Sequence, residues 1–437
     1  MKHILYDYQQ SCTVDEQQLA ETRKLLLSEI NRIKDAQKDH YETEYASINV
    51  LHDDALITRV NTLVQEKKAL NPTLIVLIGI GGSNLGTLSV LTAIQKQKAS
   101  YNRLCFADTV DTDYIATLLR YAEEELIAGN NILINVVSKS GTTTETIANY
   151  QLFVAILRKY RPHDYNNFIV VTTDKNSPLW HYAQQKKIAT LEVPKNVGGR
   201  YSVFSAVGLF PLAMCNVDIN ALLNGARSAL QQCTTTDDNN PAATSAAILF
   251  NLYQKNYTVH DTFVFSTELE NFGKWYRQLM AESLGKSHDK NGKLINNGIT
   301  PTVSVGSTDL HSVAQLYLSG PYTTSTNFLS VVSPATELVV PFDETLNNVN
   351  SMVQNKSLTT IMDAILQGTM HAYRAQKRPF THTTLPQKNE FFMGQLMQMK
   401  MLEVMYLGFL MNVNPFDQPS VEGYKEKTKE LLLHQKI

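Results

Sequence analysis

Apolar runs typical of β-strands alternate with helical segments over most of this chain, and that alternation constrains the fold more than any other feature of the sequence. The predicted strands of the first series are Leu74–Ile78, Leu104–Ala107, Ile132–Val137 and Phe168–Thr172. Helical patterns follow Gly86 and Asp113, and Pro178–Gln185 follows the last strand. Short links between strands and helices are typical of parallel strands with helical crossovers, so we predict an α/β fold with helices flanking a parallel sheet.

A second series of the same kind follows the loop at residues 195–201. It contains helical patterns at 202–214 and 218–232, strands at Thr262–Ser266, Thr302–Val305, Phe328–Val332 and Glu337–Val340, and helices from Asn271 and Asp309. No residue-level repeat relates the two series. Because no low-complexity linker separates them, we predict two rigidly packed parallel-sheet domains with a ligand cleft between them.

Helical segments are predicted at both ends of the chain. Thr13 and Glu16 form the pattern of a capping box ahead of a polar helix over about residues 14–37. At the other end, a Met-rich helix over about 389–411 precedes the loop NPFDQP and a final helix from Pro419. The predicted parts are an N-terminal helical arm (1–50), a first sheet domain (51–195), a second sheet domain (196–415) and a C-terminal loop and helix (416–437) that completes the site.

The composition excludes several classes of protein. With 43% apolar and 18% charged residues, the 437-residue chain can form well-packed domains. A formal net charge of −2 gives no general attraction to nucleic acid or to an anionic membrane, so neither is expected as a partner. The four cysteines form no CxxC pair, which argues against a disulfide framework and a zinc site. The start MKHILYDYQQ lacks the apolar core of a signal peptide, and no apolar run approaches the ~20 residues of a membrane helix, so we expect a cytoplasmic protein.

The glycine-rich stretch VLIGIGGSNLG follows the first predicted strand and opens a helix. A dinucleotide fingerprint needs Gly or Ala where the chain has Asn84, and a P-loop needs Lys where it has Thr87. Both nucleotide motifs therefore fail, although Asp108 at the end of the next strand could imitate a ribose-binding acid. In the remaining interpretation, Gly82 lets the backbone approach an anion beside the Ser83 hydroxyl, and the alternative is a tight turn.

The stretch VSKSGTTTETIANY repeats this layout after the third predicted strand. Ser138, Ser140 and Thr143 supply hydroxyl groups, Lys139 supplies a cation, and free N–H groups lie at the start of the next helix. A threonine-rich helix cap is the alternative. Two anion seats that follow parallel strands would meet at the carboxyl edge of the sheet, where open α/β sheets bind ligands, and one phosphate group would fill both.

Two charged side chains of the second half are candidates for chemistry. Arg200 follows two glycines in NVGGRYSVFSAVG and could stabilise negative charge on a substrate oxygen, with a surface salt bridge as the alternative. Glu282 ends an apolar helical stripe that begins at Phe272, so its carboxylate is a candidate base. A structural ion pair is the alternative for Glu282.

His311 and Lys425 are weaker candidates. His311 follows VGSTDL, where Asp309 is expected to cap a helix whose first turn favours a neutral imidazole able to exchange protons. Lys425 lies on a partly apolar face of the final helix and could point into the cleft. The alternatives are a structural histidine and a lysine that extends into solvent.

Together these stretches resemble the glucose-6-phosphate isomerase family in its shorter bacterial form. The resemblance covers about residues 45 to 430, with the motifs in the family's order: GIGGSNLG, SKSGTTTET, NVGGRYSVFSAVG, AESLGKS, STDLHSVAQ and NPFDQPSVEGYK. It implies two sugar-isomerase (SIS) domains, each a parallel sheet flanked by helices, and a homodimer. It also implies reversible interconversion of glucose 6-phosphate and fructose 6-phosphate in glycolysis and gluconeogenesis, through a cis-enediolate and without metal or cofactor.

The resemblance also implies a role for each candidate residue. The hexose 6-phosphate is bound by residues that match Gly82, Ser83, Ser138, Lys139, Ser140, Thr143 and Gln418. Glu282 matches the base that transfers the proton, and Arg200 matches the group that stabilises the enediolate oxygen. His311 and Lys425 match the ring-opening pair, in which the neighbouring subunit of the dimer supplies the histidine.

One position departs from the family, which usually has glycine after FDQP where this chain has Ser420. A positive φ there would strain the helix that carries Lys425. Pro419 instead favours an ordinary first helical turn, in which serine is harmless.

Three other functions stay open at this point. One is a dual phosphoglucose/phosphomannose isomerase, another is a sugar-phosphate-binding regulator without catalysis, and the third is a dinucleotide-dependent oxidoreductase. The presence of the whole acid–base set argues against the regulator, and Asn84 argues against the oxidoreductase.

Overall fold

The N-terminal arm folds as a short strand followed by two helices. In the computed structural model, which describes residues 3–95 and 103–434, these are β1 (Leu5–Asp7), α1 (Glu16–Leu25) and α2 (Leu27–Ala36). The prediction of one helix over 14–37 is wrong, because the helix is interrupted at Leu26. The predicted cap is also wrong: the carboxylate of Asp15, and not Thr13, accepts from the backbone N–H of Gln18 at 2.8 Å.

The first sheet has five parallel strands in the order β3–β2–β4–β5–β6. They are β2 (Pro72–Ile78), β3 (Arg103–Ala107), β4 (Asn131–Val137), β5 (Ile169–Thr173) and β6 (Ala189–Glu192). Helix α3 (Asp54–Lys68) precedes them, and their connections contain α4 (Leu85–Gln95), α5 (Thr112–Ile127), α6 (Thr144–Tyr160) and α7 (Pro178–Gln185). Ile75 and Val76 pack into different apolar clusters, so both faces of the sheet are covered and its strands are apolar throughout.

The second sheet has the order β1–β12–β11–β7–β10. Its parallel strands are β7 (Val259–Val264), β10 (Thr300–Val305), β11 (Thr324–Val331) and β12 (Phe380–Leu385), and β8 (Lys286–His288) pairs separately with β9 (Leu294–Asn297). The helices are α8 (Ala206–Met214), α9 (Ile219–Gln232), α10 (Pro241–Gln254), α11 (Glu270–Leu284), α12 (Ala314–Ser319), α13 (Glu344–Asn347), α14 (Leu358–Ala375), α15 (Glu390–Leu410) and α16 (Glu422–His434). The predicted α/β fold with two sheets is thus confirmed.

Two predictions for the second half of the chain are wrong, and two strands of the second sheet were not predicted. The strand expected at Glu337–Val340 does not form, and Val339 makes only an isolated bridge to Ser357. The fourth parallel strand is β12, whose sequence FTHTTL is too polar to stand out as an apolar run. The chain's own N-terminus adds β1 antiparallel to β12, so the sheet is mixed and not wholly parallel. The helix expected from Asp309 is a 3₁₀ turn, and α12 begins only at Ala314.

The two sheets share one connectivity although their sequences show no repeat. In the first, β2 lies between the next two strands of its series, β3 and β4; in the second, β7 lies in the same way between β10 and β11. Reversal of strand order beside the first strand of a series opens a crevice at the carboxyl ends of the strands. The fold therefore provides such a crevice directly after β2 and β4.

Helix α15 forms the centre of the largest apolar cluster. Eighteen of its residues, from Glu390 to Gly408, are buried, and it packs against α9, α10 and α11. Its buried Lys400 and Glu403 form an ion pair at 2.7 Å, and Tyr276 of α11 donates to Glu403. The predicted Met-rich helix over 389–411 is therefore confirmed as a core helix.

Residues 3–95 and 103–434 contain neither a candidate membrane span nor a candidate metal site. No helix in those ranges combines the length and apolar character needed to cross a membrane. No group of three or more His, Cys, Asp or Glu side chains there is placed to hold a metal ion. The division into arm, two domains and C-terminal segment stays a prediction, and residues 1–2, 96–102 and 435–437 of its ranges lie outside the described part.

Candidate active site

A cleft of about 770 Å³ lies at the carboxyl ends of β2, β4 and β5, closed on other sides by α11 and α16. Eight of the eleven predicted site residues line it: Gly82, Ser83, Lys139, Ser140, Thr143, Glu282, Gln418 and Lys425. Ser138 and Arg200 are buried directly behind its wall, each with 2% of its surface exposed. His311 lies outside it. The sheet edge predicted from the sequence is thus the place where these residues meet.

The glycine-rich turn after β2 packs against the loop that carries Arg200. A Cβ atom on Gly82 would lie 2.2 Å from the carbonyl carbon of Gly199, so only glycine allows this contact. The Ser202 hydroxyl also donates to the Gly82 carbonyl at 3.3 Å. The turn therefore fixes one wall of the cleft to the other, and it does more than reverse the chain.

Asp108 has a structural partner in place of a ribose. Its carboxylate accepts from the side-chain amide of Asn84 at 2.6 Å. Burial raises the pKa of Asp108, and the hydrogen bond from Asn84 opposes that rise. Neither residue lines the cleft, which argues against the dinucleotide interpretation.

The hydroxyl groups after β4 bond to each other and leave the following helix uncapped by a side chain. Thr143 is the N-cap residue of α6, yet its side chain makes no capping hydrogen bond. Its Oγ1 instead lies 3.0 Å from Oγ of Ser138 and 3.5 Å from Oγ of Ser140. The backbone N–H of Gly141 donates to Ser138 at 3.1 Å. The threonine-rich cap is therefore not formed. The buried Ser138 hydroxyl instead holds the loop through its contacts with Thr143 and Gly141.

Lys139 is the cation of this loop. Burial lowers the pKa of its ammonium, Asp174 acts in the opposite direction, and Arg200 and Lys195 add to the lowering. Within the part of the chain that the structure describes, no hydrogen bond or ion pair occupies the ammonium. A partly desolvated cation beside hydroxyl groups and helix N–H donors favours an anion from outside the chain.

Arg200 is a buried group with every donor engaged, and the surface salt bridge considered for it is excluded. Its five N–H groups have five acceptors: Ser283 Oγ (2.8 Å), Glu282 Oε2 (3.3 Å), Gln418 Oε1 (2.6 Å) and the carbonyls of Pro415 (2.6 Å) and Asp417 (3.0 Å). Nη1 makes the contacts to Glu282 and Gln418, the two acceptors that line the cleft. Nη1 is therefore the nitrogen that could exchange a protein acceptor for a substrate oxygen.

Glu282 lies at the cleft end of a buried stripe on α11, as predicted. Its side chain is 34% exposed, so the carboxylate faces the cleft as well as its ion pair with Arg200. The other oxygen, Oε1, accepts from the amide of Gln278 at 2.9 Å. Gln278 also lines the cleft and was missed from the sequence, although a position four residues before Glu282 on one helical face could have indicated it.

The C-terminal segment supplies Gln418 and Lys425. The Lys425 ammonium lies 2.8 Å from Glu422 one turn earlier, and both side chains border the cleft. Ser420 lies in a 3₁₀ turn over Pro419–Val421 and is not among the residues with positive φ. Serine is therefore tolerated at this position, as Pro419 indicated.

His311 lies at the end of the 3₁₀ turn after β10, on the carboxyl edge of the second sheet, and is exposed. Asp309 does not cap a helix there; its carboxylate accepts from the backbone N–H of Val305 at 2.7 Å. The helical environment expected for the imidazole is therefore absent from this turn. Among the described residues, no histidine lines the cleft.

Comparison with known sequences gives one consistent family. The family model described as phosphoglucose isomerase matches residues 64–436. A glucose-6-phosphate isomerase of Carboxydothermus hydrogenoformans is 31% identical over 369 residues, which are 82% of this chain and 78% of that protein. Another, of Streptococcus pyogenes, is 32% identical over 394 residues, which are 87% and 84% of the two chains.

Solved structures show the same fold. A hypothetical protein of Thermus thermophilus superposes with a TM-score of 0.87 at 30% identity, over 98% of this chain and 99% of that one. A glucose-6-phosphate isomerase of Chlamydia trachomatis has the same fold, with a TM-score of 0.82 at 22% identity over 99% and 89% of the chains. The chain therefore belongs to the phosphoglucose isomerase family.

Proposed function

We propose that the chain interconverts glucose 6-phosphate and fructose 6-phosphate by proton transfer through Glu282. The observation that carries the proposal is the placement of this carboxylate, held by Gln278 and Arg200, in the same cleft as the unpaired Lys139 ammonium. A base and an anion seat in one cleft suit a substrate with a phosphate at one end and an acidic C–H bond near the other.

The phosphate group binds where the loops after β2 and β4 meet. Lys139 supplies charge, Ser83, Ser140 and Thr143 supply hydroxyl donors, and the first N–H groups of α6 have no side-chain acceptor from Thr143. Charge-assisted hydrogen bonds to a phosphate are short and strong. Fixing the far end of the sugar in this way orients carbons 1 and 2 against Glu282, which uses binding energy from a group that does not react.

Isomerisation then needs one base and one site for negative charge. Glu282 takes the proton from carbon 2 of the open-chain aldose and returns it to carbon 1, while the hydroxyl proton moves from oxygen 2 to oxygen 1. The intermediate is a cis-enediolate, and Arg200 Nη1 stabilises its oxygen after exchanging the Gln418 amide for it. General acid–base help of this kind contributes about 10²–10⁴ in rate.

Ring opening requires a second acid–base pair, for which Lys425 lines the cleft and His311 does not. We infer a homodimer in which the His311 of one chain enters the cleft of the other. Six large apolar side chains between residues 338 and 352 are exposed, which fits a surface covered by a second copy: Leu338, Val339, Phe342, Leu346, Val349 and Met352.

We also propose a cytoplasmic location, because the cysteines in the described part are free thiols.

The proposed reaction is tested with purified protein and fructose 6-phosphate in deuterated water without added metal, read by NMR. Glucose 6-phosphate carrying deuterium at carbon 2 is the expected product. Mannose 6-phosphate formed at a comparable rate would assign the dual isomerase instead. Binding of the sugar phosphate without turnover would assign the regulator.

The shared site is tested by mixing two inactive variants, Glu282→Gln and His311→Ala. In a dimer that exchanges histidines, each mixed dimer regains one intact site, so the mixture should recover about one quarter of wild-type activity if subunits assort randomly. Each variant alone, treated identically, is the control. A mixture as inactive as its components, with mixed dimers shown by mass spectrometry, would contradict the exchange.

A further inference from the structure

Lys286 lies where the helix that carries Glu282 meets the C-terminal segment, and no step of the proposed reaction uses it. Its side chain is only 6% exposed. The ammonium donates to the main-chain carbonyl of Glu282 at 2.9 Å, to Oδ1 of Asp417 at 2.9 Å and to the main-chain carbonyl of Asp417. Lys286 therefore connects the backbone of the proposed base to the residue directly before Gln418.

All three hydrogen bonds of the ammonium are used in this connection. Burial lowers the pKa of Lys286, while the hydrogen bond and charge of Asp417 oppose the lowering. The Glu282 carbonyl is one of the last four of α11, which ends at Leu284, and these lack a partner within the helix. A cation at the carboxyl end of a helix also interacts favourably with the helix dipole. The buried ammonium of Lys286 is thus compensated by the carboxyl end of α11 and by Asp417.

Two cations bind the backbone of the segment linked in this way, and its Phe416 packs against Tyr45 and Tyr201. The Asp417 carbonyl that accepts from Lys286 also accepts from Arg200 Nη2 at 3.0 Å, and Arg200 binds the Pro415 carbonyl as well. Beyond this point α16 contains no buried residue. The positions of Gln418 and Lys425 are therefore set by the contacts at residues 415–418 and not by packing of the final helix.

We propose that Lys286 is a positioning residue for the isomerisation: it fixes the spacing between Glu282 and the segment that carries Gln418 and Lys425. Its effect on turnover rests on the proposed function, whereas its hold on the segment does not. A misplacement of about 1 Å at a reacting group can cost about 10²-fold in rate. The phosphate seat around Lys139 lies on different loops, so the loss falls on kcat more than on KM.

Steady-state kinetics of Lys286→Met and Lys286→Arg test the catalytic consequence. Lys274→Met is the matched control, because Lys274 forms an exposed ion pair with Glu270 on α11, the helix that carries Glu282. We expect kcat of Lys286→Met to fall about 10–100-fold with KM within about threefold, partial recovery in Lys286→Arg, and wild-type values in the control. Wild-type kcat in Lys286→Met, or a loss that matches its unfolded fraction, would overturn the proposal.

Hydrogen–deuterium exchange tests the hold on the segment without reference to activity. In Lys286→Met, amides of residues 412–424 should exchange faster than in wild type, whereas those of 138–150 should be unchanged. Asp417→Asn, which keeps the carbonyl acceptor, should give an intermediate rate and serves if Lys286→Met fails to fold. Unchanged exchange at 412–424 in both variants would refute the link. If the wild-type protein does not isomerise hexose phosphates, the proposed function fails and the exchange result still decides the role of Lys286.

Discussion

One nitrogen of Arg200 binds the carboxylate of Glu282: Nη1 lies 3.3 Å from Oε2, at the wall of the cleft. The guanidinium is buried and donates to four further acceptors of the chain, so its position is fixed before any ligand binds. A cation fixed beside the proposed base lies where negative charge would develop on the substrate. The proposed role of Arg200 in stabilising the enediolate oxygen thus follows from its position beside Glu282.

Arg200→Lys should lower kcat by about 10²–10³, because lysine keeps the charge but cannot hold five acceptors in a planar arrangement. KM should change less, since Arg200 does not line the phosphate seat. Kinetics in both directions, with thermal unfolding of each protein, provide the measurement. A kcat within about threefold of wild type would contradict the role given to the guanidinium.

Gly82→Ala should damage the site by forcing two loops apart. The new Cβ would meet the backbone of Gly199 and Arg200, which cannot move away as a flexible side chain can. We expect a loss of about 1–3 kcal/mol in the free energy of unfolding and a fall of at least about tenfold in kcat/KM. Gly368→Ala in α14 is the control, because a Cβ there meets nothing within 4 Å. It should leave kcat/KM near wild type and raise the free energy of unfolding by about 0.5–1 kcal/mol, since alanine replaces glycine inside a helix. Equal behaviour of the two variants would argue against the close contact.

The buried carboxyl group of Asp261 should make stability depend on pH. Three hydroxyl groups donate to its Oδ1, those of Thr302 (2.6 Å), Ser304 (3.1 Å) and Tyr317 (3.2 Å), and burial raises its pKa to about 6. From the ordinary value of 3.8 up to about 6, the folded protein holds a proton that the unfolded chain releases. Stability therefore falls as pH rises through this window, by up to about 3 kcal/mol.

Asp261→Asn removes this titration and keeps an oxygen to accept the hydroxyl groups. The difference in unfolding free energy, variant minus wild type, should therefore increase between about pH 4 and pH 7, measured by urea denaturation. His260 beside it has its pKa lowered by burial to about 3, but it is present in both proteins and cancels in the difference. A difference that stays constant over this range would show that Asp261 does not titrate as inferred.

The sequence was sufficient to predict those strands and site residues that depend on neighbouring residues in the chain. The strand β2 with Gly82 and Ser83, and β4 with the hydroxyl loop, were predicted because an apolar run followed by small polar residues determines both the strand end and the anion seat. Strands β1 and β12 were missed because their pairing is a long-range contact between short, partly polar segments. Local pattern carries no information on such pairing.

Within the site, the same limit applies to Gln278 and Lys286. Helical spacing from Glu282 was the one sign of Gln278, and Lys286 lies within AESLGKS without a sign of its role. Their contacts appear only when Glu282 and Asp417 are seen beside them. The full engagement of Arg200 was equally hidden, because three of its acceptors lie more than 200 residues away in the chain. The candidate site was therefore predicted by residue type, and its supporting contacts were not.

The most direct test of the account is solvent exchange at carbon 2 of the sugar in Glu282→Gln, followed by NMR in deuterated water with sugar-phosphate binding measured in parallel. We predict that the variant binds the sugar phosphate as the wild type does but loses both isomerisation and incorporation of deuterium. Incorporation at the wild-type rate would contradict the account, because another group would then be removing the proton.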